Sequence, residues 1–80
     1  MERNEVMNKL QEIFREVFDN DEIVISDSTV AEDIEEWDSL AHVQLTSRIQ
    51  EVFGITLGGK EFLSWEDVGE MVDSILKKLS

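Results

Sequence analysis

Apolar residues recur at spacings of three and four in three stretches of this chain. Val6, Leu10, Ile13, Phe14, Val17 and Phe18 mark the first and predict an amphipathic helix over about residues 3 to 18. Glu2 and Glu5 lie near its start, where carboxylates complement the helix dipole. Leu45, Ile49, Val52 and Phe53 mark the second. That helix should begin at Asp38 or Ser39, because an Asp38 carboxylate can accept from the orphan amides of a first turn. Gly54 stands where a left-handed C-terminal cap is wanted. Trp65, Val68, Met71, Val72, Ile75, Leu76 and Leu79 form the third and cleanest stripe. Ser64-Trp65-Glu66-Asp67 before it resembles a capping box with Asp in place of Glu. Lys77 and Lys78 fall in its last turn, where cations suit the dipole. Between the second and third stripes, Gly58-Gly59 opens a turn. Lys60 to Ser64 can then form one short helical turn anchored by Phe62 and Leu63.

From Asp19 to Asp38 the periodicity fails. A connection of about twenty residues is long for a compact domain and is usually functional or disordered. Ile23, Ile25, Val30 and Ile34 are spaced along it, so it should be pinned to the core. Ile23-Val24-Ile25 could be a short strand, but no partner strand is visible. The expected fold is all-α. It is a small four-helix bundle, with three main helices and one short one, and a long loop between helices 1 and 2. One domain should cover residues 1–80.

Composition narrows the function classes. A chain of 80 residues buries only about 60% of the surface it exposes when unfolded, which argues against a deep active site. Asp and Glu number 19 against 7 Lys and Arg, a net charge of −12. Nucleic acid and anionic lipid are polyanions, so neither is an expected partner, and membrane insertion is not expected. A monomer that attracts basic partners is. The charge is uneven: residues 16 to 47 hold ten acids, Glu16, Asp19, Asp21, Glu22, Asp27, Glu32, Asp33, Glu35, Glu36 and Asp38, and no Lys or Arg. This block is either a solvated acidic surface or an electrostatic footprint that steers basic partners to one end of the molecule. There is no Cys, hence no disulfide, thiolate nucleophile or Cys-ligated zinc. The start Glu2-Arg3-Asn4-Glu5 does not read as a signal peptide, and no apolar run is long enough to span a bilayer. A free-standing cytoplasmic chain is the expectation.

Most candidate chemistry fails on spacing. Asp19-Asn20-Asp21 opens like a calcium loop, but the sixth and twelfth positions are Val24 and Val30, where Gly and Glu are required. His42 is the only His and lacks companions for a metal site. Ser39 and His42 lie three apart, yet no strand-turn-helix elbow or oxyanion hole accompanies them. His42 is therefore expected as a partly exposed helix residue. Gly58-Gly59 alone is a turn and not a phosphate loop. No catalytic or metal-binding residue is assigned.

What remains is Glu35-Glu36-Trp37-Asp38-Ser39-Leu40. Trp37-Asp38-Ser39-Leu40, followed by an amphipathic helix ending Glu51-Val52-Phe53-Gly54-Ile55, resembles the acyl carrier proteins. Phe14, Val17 and Phe18 in an N-terminal helix, Asp33-Ile34 ahead of the serine motif, and the stripe from Trp65 to Leu79 extend the resemblance over essentially the whole chain. It implies a non-catalytic carrier with 4′-phosphopantetheine attached to Ser39 through a phosphodiester, and acyl groups held as thioesters on the arm's thiol. Asp38 and Leu40 complete the attachment motif. A chain without Cys has no thiol of its own, so a thioester carrier must borrow one. Ser39 at a first helical position also suits a phosphate, because free amides and the dipole favour an anion. Ser and Asp before a helix can equally be plain caps, and the two roles are compatible if Asp38 caps while Ser39 is modified.

The resemblance also implies partners: a phosphopantetheinyl transferase, an acyl-loading ligase or acyltransferase, and a downstream synthase or transferase with a basic docking surface. Glu35, Glu36, Trp37, Leu40, Val43, Gln44, Ser47 and Glu51 are the candidate docking residues. The best-known fatty-acid carriers bear several carboxylates on this helix. Here Gln44 and Gln50 stand at two such positions and Arg48 adds a positive charge, which favours a specialised fatty-acid, polyketide-like, modified-sugar or aminoacyl pathway. Two alternatives stay open: a stand-alone peptidyl or aminoacyl carrier, and an acidic helical interaction module without a prosthetic group.

Overall fold

A computed structural model describes residues 1–80 and contains four α-helices and no strand: α1 Arg3–Val17, α2 Ser39–Phe53, α3 Gly59–Leu63 and α4 Val68–Leu79. One 3-10 turn, Ala31–Asp33, interrupts the long connection. α1 packs against both α2 and α4. The core is the meeting of three stripes: Val6, Leu10, Ile13 and Phe14 of α1, Leu45 and Ile49 of α2, and Val68, Met71, Val72 and Ile75 of α4. The expected small helical bundle is thus the fold.

Several local readings are corrected. Val52 is 38% exposed, and Thr46 takes the buried place beside Leu45. The Thr46 hydroxyl donates to the Val43 carbonyl at 2.9 Å, which satisfies it within its own helix. Leu63 is 71% exposed and anchors nothing, whereas Leu57, just before α3, is buried. The fourth helix does not start from a Ser64 capping box. Its cap is Asp67, whose carboxylate accepts from the Glu70 amide at 2.9 Å. Glu66 N donates to the Glu70 carboxylate at 3.1 Å and closes the same turn.

α1 ends on a residue that the sequence did not flag. Asp19 has φ 50°, in the left-handed region. The amides of Asp19 and Asn20 donate back to Glu16 O and Arg15 O, at 3.3 and 3.0 Å. This is a Schellman closure with Asp where Gly is usual. Gly54 does the same for α2 as expected, with φ 65° and the Ile55 amide on Gln50 O at 3.2 Å.

The long connection is held at each step. Ile23 and Ile25 are buried and Val24 between them is exposed, so the segment is extended but pairs with no strand. Its backbone bonds go to side chains of α1: Arg15 Nε donates to Ile23 O at 2.8 Å, and Ile25 N to Gln11 Oε1 at 3.1 Å. Further on, Val68 N donates to Thr29 O at 2.9 Å and Gly69 N to Asp27 O at 2.8 Å, fastening the loop to the start of α4. A Cβ on Gly69 would sit 2.9 Å from that Asp27 oxygen, so only glycine lets the two backbones approach. Arg3 donates to Asp73 and Asp27, and these bonds raise its pKa above that of an ordinary arginine. Ile34 is buried as expected; Val30 is only half-buried.

The acidic block is partly consumed by this architecture. Glu16 meets Arg48 at 3.1 Å, Asp27 meets Arg3 at 2.7 Å, Asp33 accepts from Val30 N at 3.0 Å, and Glu36 accepts from Asn20 Nδ2 at 3.1 Å. Asp21, Glu22, Glu32 and Glu35 are exposed with no cation beside them. Their mutual repulsion acts against a margin of about 4–12 kcal/mol for a domain of this size. Added salt or millimolar magnesium should therefore raise the melting temperature, by about 4–8 °C for each kcal/mol of repulsion removed. A circular dichroism melt that is the same in low and high salt would contradict this.

Candidate functional site

The start of α2 is built by Asp38. Its backbone is extended, and its carboxylate accepts from Ala41 N at 2.8 Å while its carbonyl accepts from His42 N at 2.9 Å. The amides of Ser39 and Leu40 make no hydrogen bond within the chain. Ser39 is exposed, and its hydroxyl makes no bond either. The site is thus a free hydroxyl beside two free amides at the positive end of a helix, an environment that favours an anion such as a phosphate.

Trp37, expected on the docking surface, instead turns half inward. Its ring stands edge-on to Phe14 at 5.2 Å between centroids and lies 6.4 Å from Phe18. Its indole N–H donates to His42 Nδ1 at 3.0 Å, and the two rings stack at 5.8 Å. His42 Nε2 lies 2.7 Å from the carbonyl oxygen of Phe62 in α3. An indole N–H only donates and a carbonyl only accepts, so the imidazole carries its proton on Nε2. His42 is the partly exposed helix residue expected, and both of its ring nitrogens are engaged. It ties the loop before Ser39, α2 and α3 together.

A surface cleft of about 340 Å³ opens beside Ser39. Trp37, Ser39 and His42 form one wall, and Leu63, Trp65 and Asp67 the other. Trp65 is fixed by its indole N–H donating to Ser74 Oγ at 2.7 Å. The α3–α4 corner was not singled out as part of the site. Its contribution is spatial, and no sequence spacing connects it to Ser39.

Leu40 and Val43 are 69% and 52% exposed and lie on one side of α2 with exposed Gln44, Ser47 and Glu51. Glu35 and Glu36 are exposed just ahead of Ser39. Arg48 is held by Glu16 and, at 3.5 Å, by Glu51, so its charge is matched within the chain. Gln50 is not a surface substitute for a carboxylate. Its Oε1 accepts from Leu57 N at 2.9 Å and fastens the segment after α2. No helix is long and apolar enough to cross a membrane.

A small helical bundle that displays an exposed, unbonded serine hydroxyl at a helix start offers a point at which a group can be attached. Residues 8–75 match the family model for the phosphopantetheine attachment site, and the chain belongs to that family. The structure is similar to the solution NMR structure of a holo acyl carrier protein from Geobacter metallireducens, with TM-score 0.86 and 38% identity, over 92% of this chain and 85% of that one. Among curated proteins no sequence matches. Acyl carrier proteins are non-catalytic, hold 4′-phosphopantetheine covalently, and interact with a phosphopantetheinyl transferase and acyl-processing enzymes. The alternative of an acidic module without a prosthetic group is set aside by this match.

Proposed function

We propose that this chain carries acyl or aminoacyl groups on a 4′-phosphopantetheine arm attached to Ser39 and delivers them to enzymes with basic docking surfaces, in a specialised fatty-acid or polyketide-like pathway. One observation carries the assignment: the Ser39 hydroxyl is exposed and unbonded, one residue after a capping Asp and beside two unpartnered amides. The arm supplies a terminal thiol on which acyl groups form thioesters. The chain's own residues fix the attachment point. Asp38 sets the helix start, Trp37 and His42 hold the preceding turn to the core, and the free amides of Ser39 and Leu40 favour the phosphate's charge.

Docking falls to Leu40, Val43, Gln44, Ser47 and Glu51, with Glu35 and Glu36 supplying charge for the encounter. An apolar pair rimmed by polar groups has the layout of a small interface, an apolar centre with a polar edge. Leu40→Ala should lower kcat/KM for modification by the transferase about tenfold, from roughly 1–2 kcal/mol of lost contact. Its melting temperature should stay unchanged, because Leu40 supports no core residue. Equal modification kinetics in the variant would remove Leu40 from the docking face.

The cargo class is tested by presenting the arm-bearing protein to a panel of acyl and amino-acid ligases and following intact mass. Fast acylation and elongation by general fatty-acid synthase enzymes would contradict a specialised pathway. Selective loading with amino acids would favour the aminoacyl carrier.

A further inference from the structure

Trp37, His42 and Phe62 form one continuous connection from the core to α3. Phe14 supports Trp37 from below, Trp37 donates to and stacks on His42, and His42 reaches the Phe62 carbonyl. The Phe62 and Trp65 rings each lie 6.0 Å from the imidazole and complete the packing around it. Both ring nitrogens of His42 are engaged: the Nδ1 bond to Trp37 holds the ring in place, and separating α2 from α3 here breaks the Nε2 bond to Phe62 O and the His42–Phe62 ring contact. Beneath this connection Phe14, Leu45, Ile49 and Met71 are fully buried, and the space that opens beside Ser39 is a cleft on the surface above it.

We propose that Trp37, His42 and Phe62 bolt α2 to α3 and keep the cargo outside the bundle. The cargo then rests over the Ser39 cleft, where compact or polar groups are accommodated and a long alkyl chain gains no shelter. This inference rests on Ser39 as the attachment point. The cleft's surroundings set the cargo's charge as well. Asp38, Glu66 and Asp67 border it with no cation beside them, which disfavours cargo bearing a free carboxylate.

The test compares the protein loaded through its arm with acetyl, octanoyl or dodecanoyl groups. A chain buried in the bundle binds only the folded state, so each buried methylene would raise the melting temperature. With the bolt closed, the three midpoints should agree within about 2 °C and hydroxylamine should cleave the three thioesters at rates within about threefold. Midpoints that climb with chain length, with dodecanoyl cleavage slowed about tenfold or more, would overturn the proposal. His42→Ala removes the bolt, and His42→Phe removes both of its hydrogen bonds while keeping a ring between Trp37 and Phe62. Both should acquire a dependence on chain length. If His42→Ala fails to fold, His42→Phe decides, and a folded variant that behaves as the wild type overturns the role of the bolt.

A second readout needs no arm. In the unmodified protein the Trp37 indole proton should exchange with solvent at least about tenfold more slowly than that of free indole, and His42→Ala should abolish that protection. Exchange as fast as in free indole overturns the bolt. Absence of any mass gain with coenzyme A and a transferase overturns the Ser39 reading instead, so the two failures are distinguishable.

Discussion

Incubated with coenzyme A and a phosphopantetheinyl transferase, the chain should gain the mass of a single arm, and Ser39→Ala should gain none. The chain has seven serines, so the claim is specific. Ser64 Oγ donates to Glu61 O at 2.7 Å and Ser80 Oγ to Lys77 O at 2.9 Å. Ser74 accepts from Trp65, and Ser26 and Ser28 bond each other. Only Ser39 and Ser47 keep unbonded hydroxyls, and Ser47 lies inside α2, where the backbone amides already serve the helix ladder. Ser39 alone combines a free hydroxyl with free amides. The expected effect is complete loss of modification, and it can be separated from damage to the fold. Alanine is a good helix former and Ser39 is exposed, so the stability of Ser39→Ala should lie within about 0.5 kcal/mol of wild type. A variant that melts normally yet still takes up an arm would sink the assignment.

The parts of this site that could be read from the sequence are those encoded locally. Asp38 capping and Ser39 presentation depend on neighbours within four positions, and the stripes of α1 and α4 depend on a period that one strand of text displays. Gly54 was legible because glycine advertises a positive φ, whereas Asp19 adopts the same conformation without the signal. Val52 and Thr46 exchanged places because a threonine that bonds its own helix can be buried, which hydropathy does not register. The wall formed by Leu63, Trp65 and Asp67, and the bond from His42 to Phe62 twenty positions away, arise from how α3 packs. α3 is five residues long and has no periodicity of its own. Trp37 shows the consequence. Next to the serine it reads as a surface residue, but the rings of Phe14 and Phe18 draw it in.

Phe14→Ala should be the most damaging single truncation in the fold. Phe14 is fully buried, and its ring meets Phe18 edge-on at 5.6 Å and Trp37 at 5.2 Å. Removing a buried phenyl ring costs about 3–5 kcal/mol, through lost transfer energy and an unfilled cavity. A domain of this size has a total stability of about 4–12 kcal/mol, so the variant should lie close to its unfolding threshold. At about 4–8 °C per kcal/mol, the melting temperature should fall by roughly 12–40 °C. The damage should also reach the site, because Phe14 is the floor beneath Trp37, and Trp37 orients the turn that leads into Asp38 and Ser39. Tryptophan emission should therefore shift to the red in the folded baseline, before the main transition. Urea titration followed by fluorescence and by far-ultraviolet circular dichroism separates the two effects. A loss below about 1 kcal/mol with unchanged emission would mean that neither the core nor the approach to Ser39 depends on this ring.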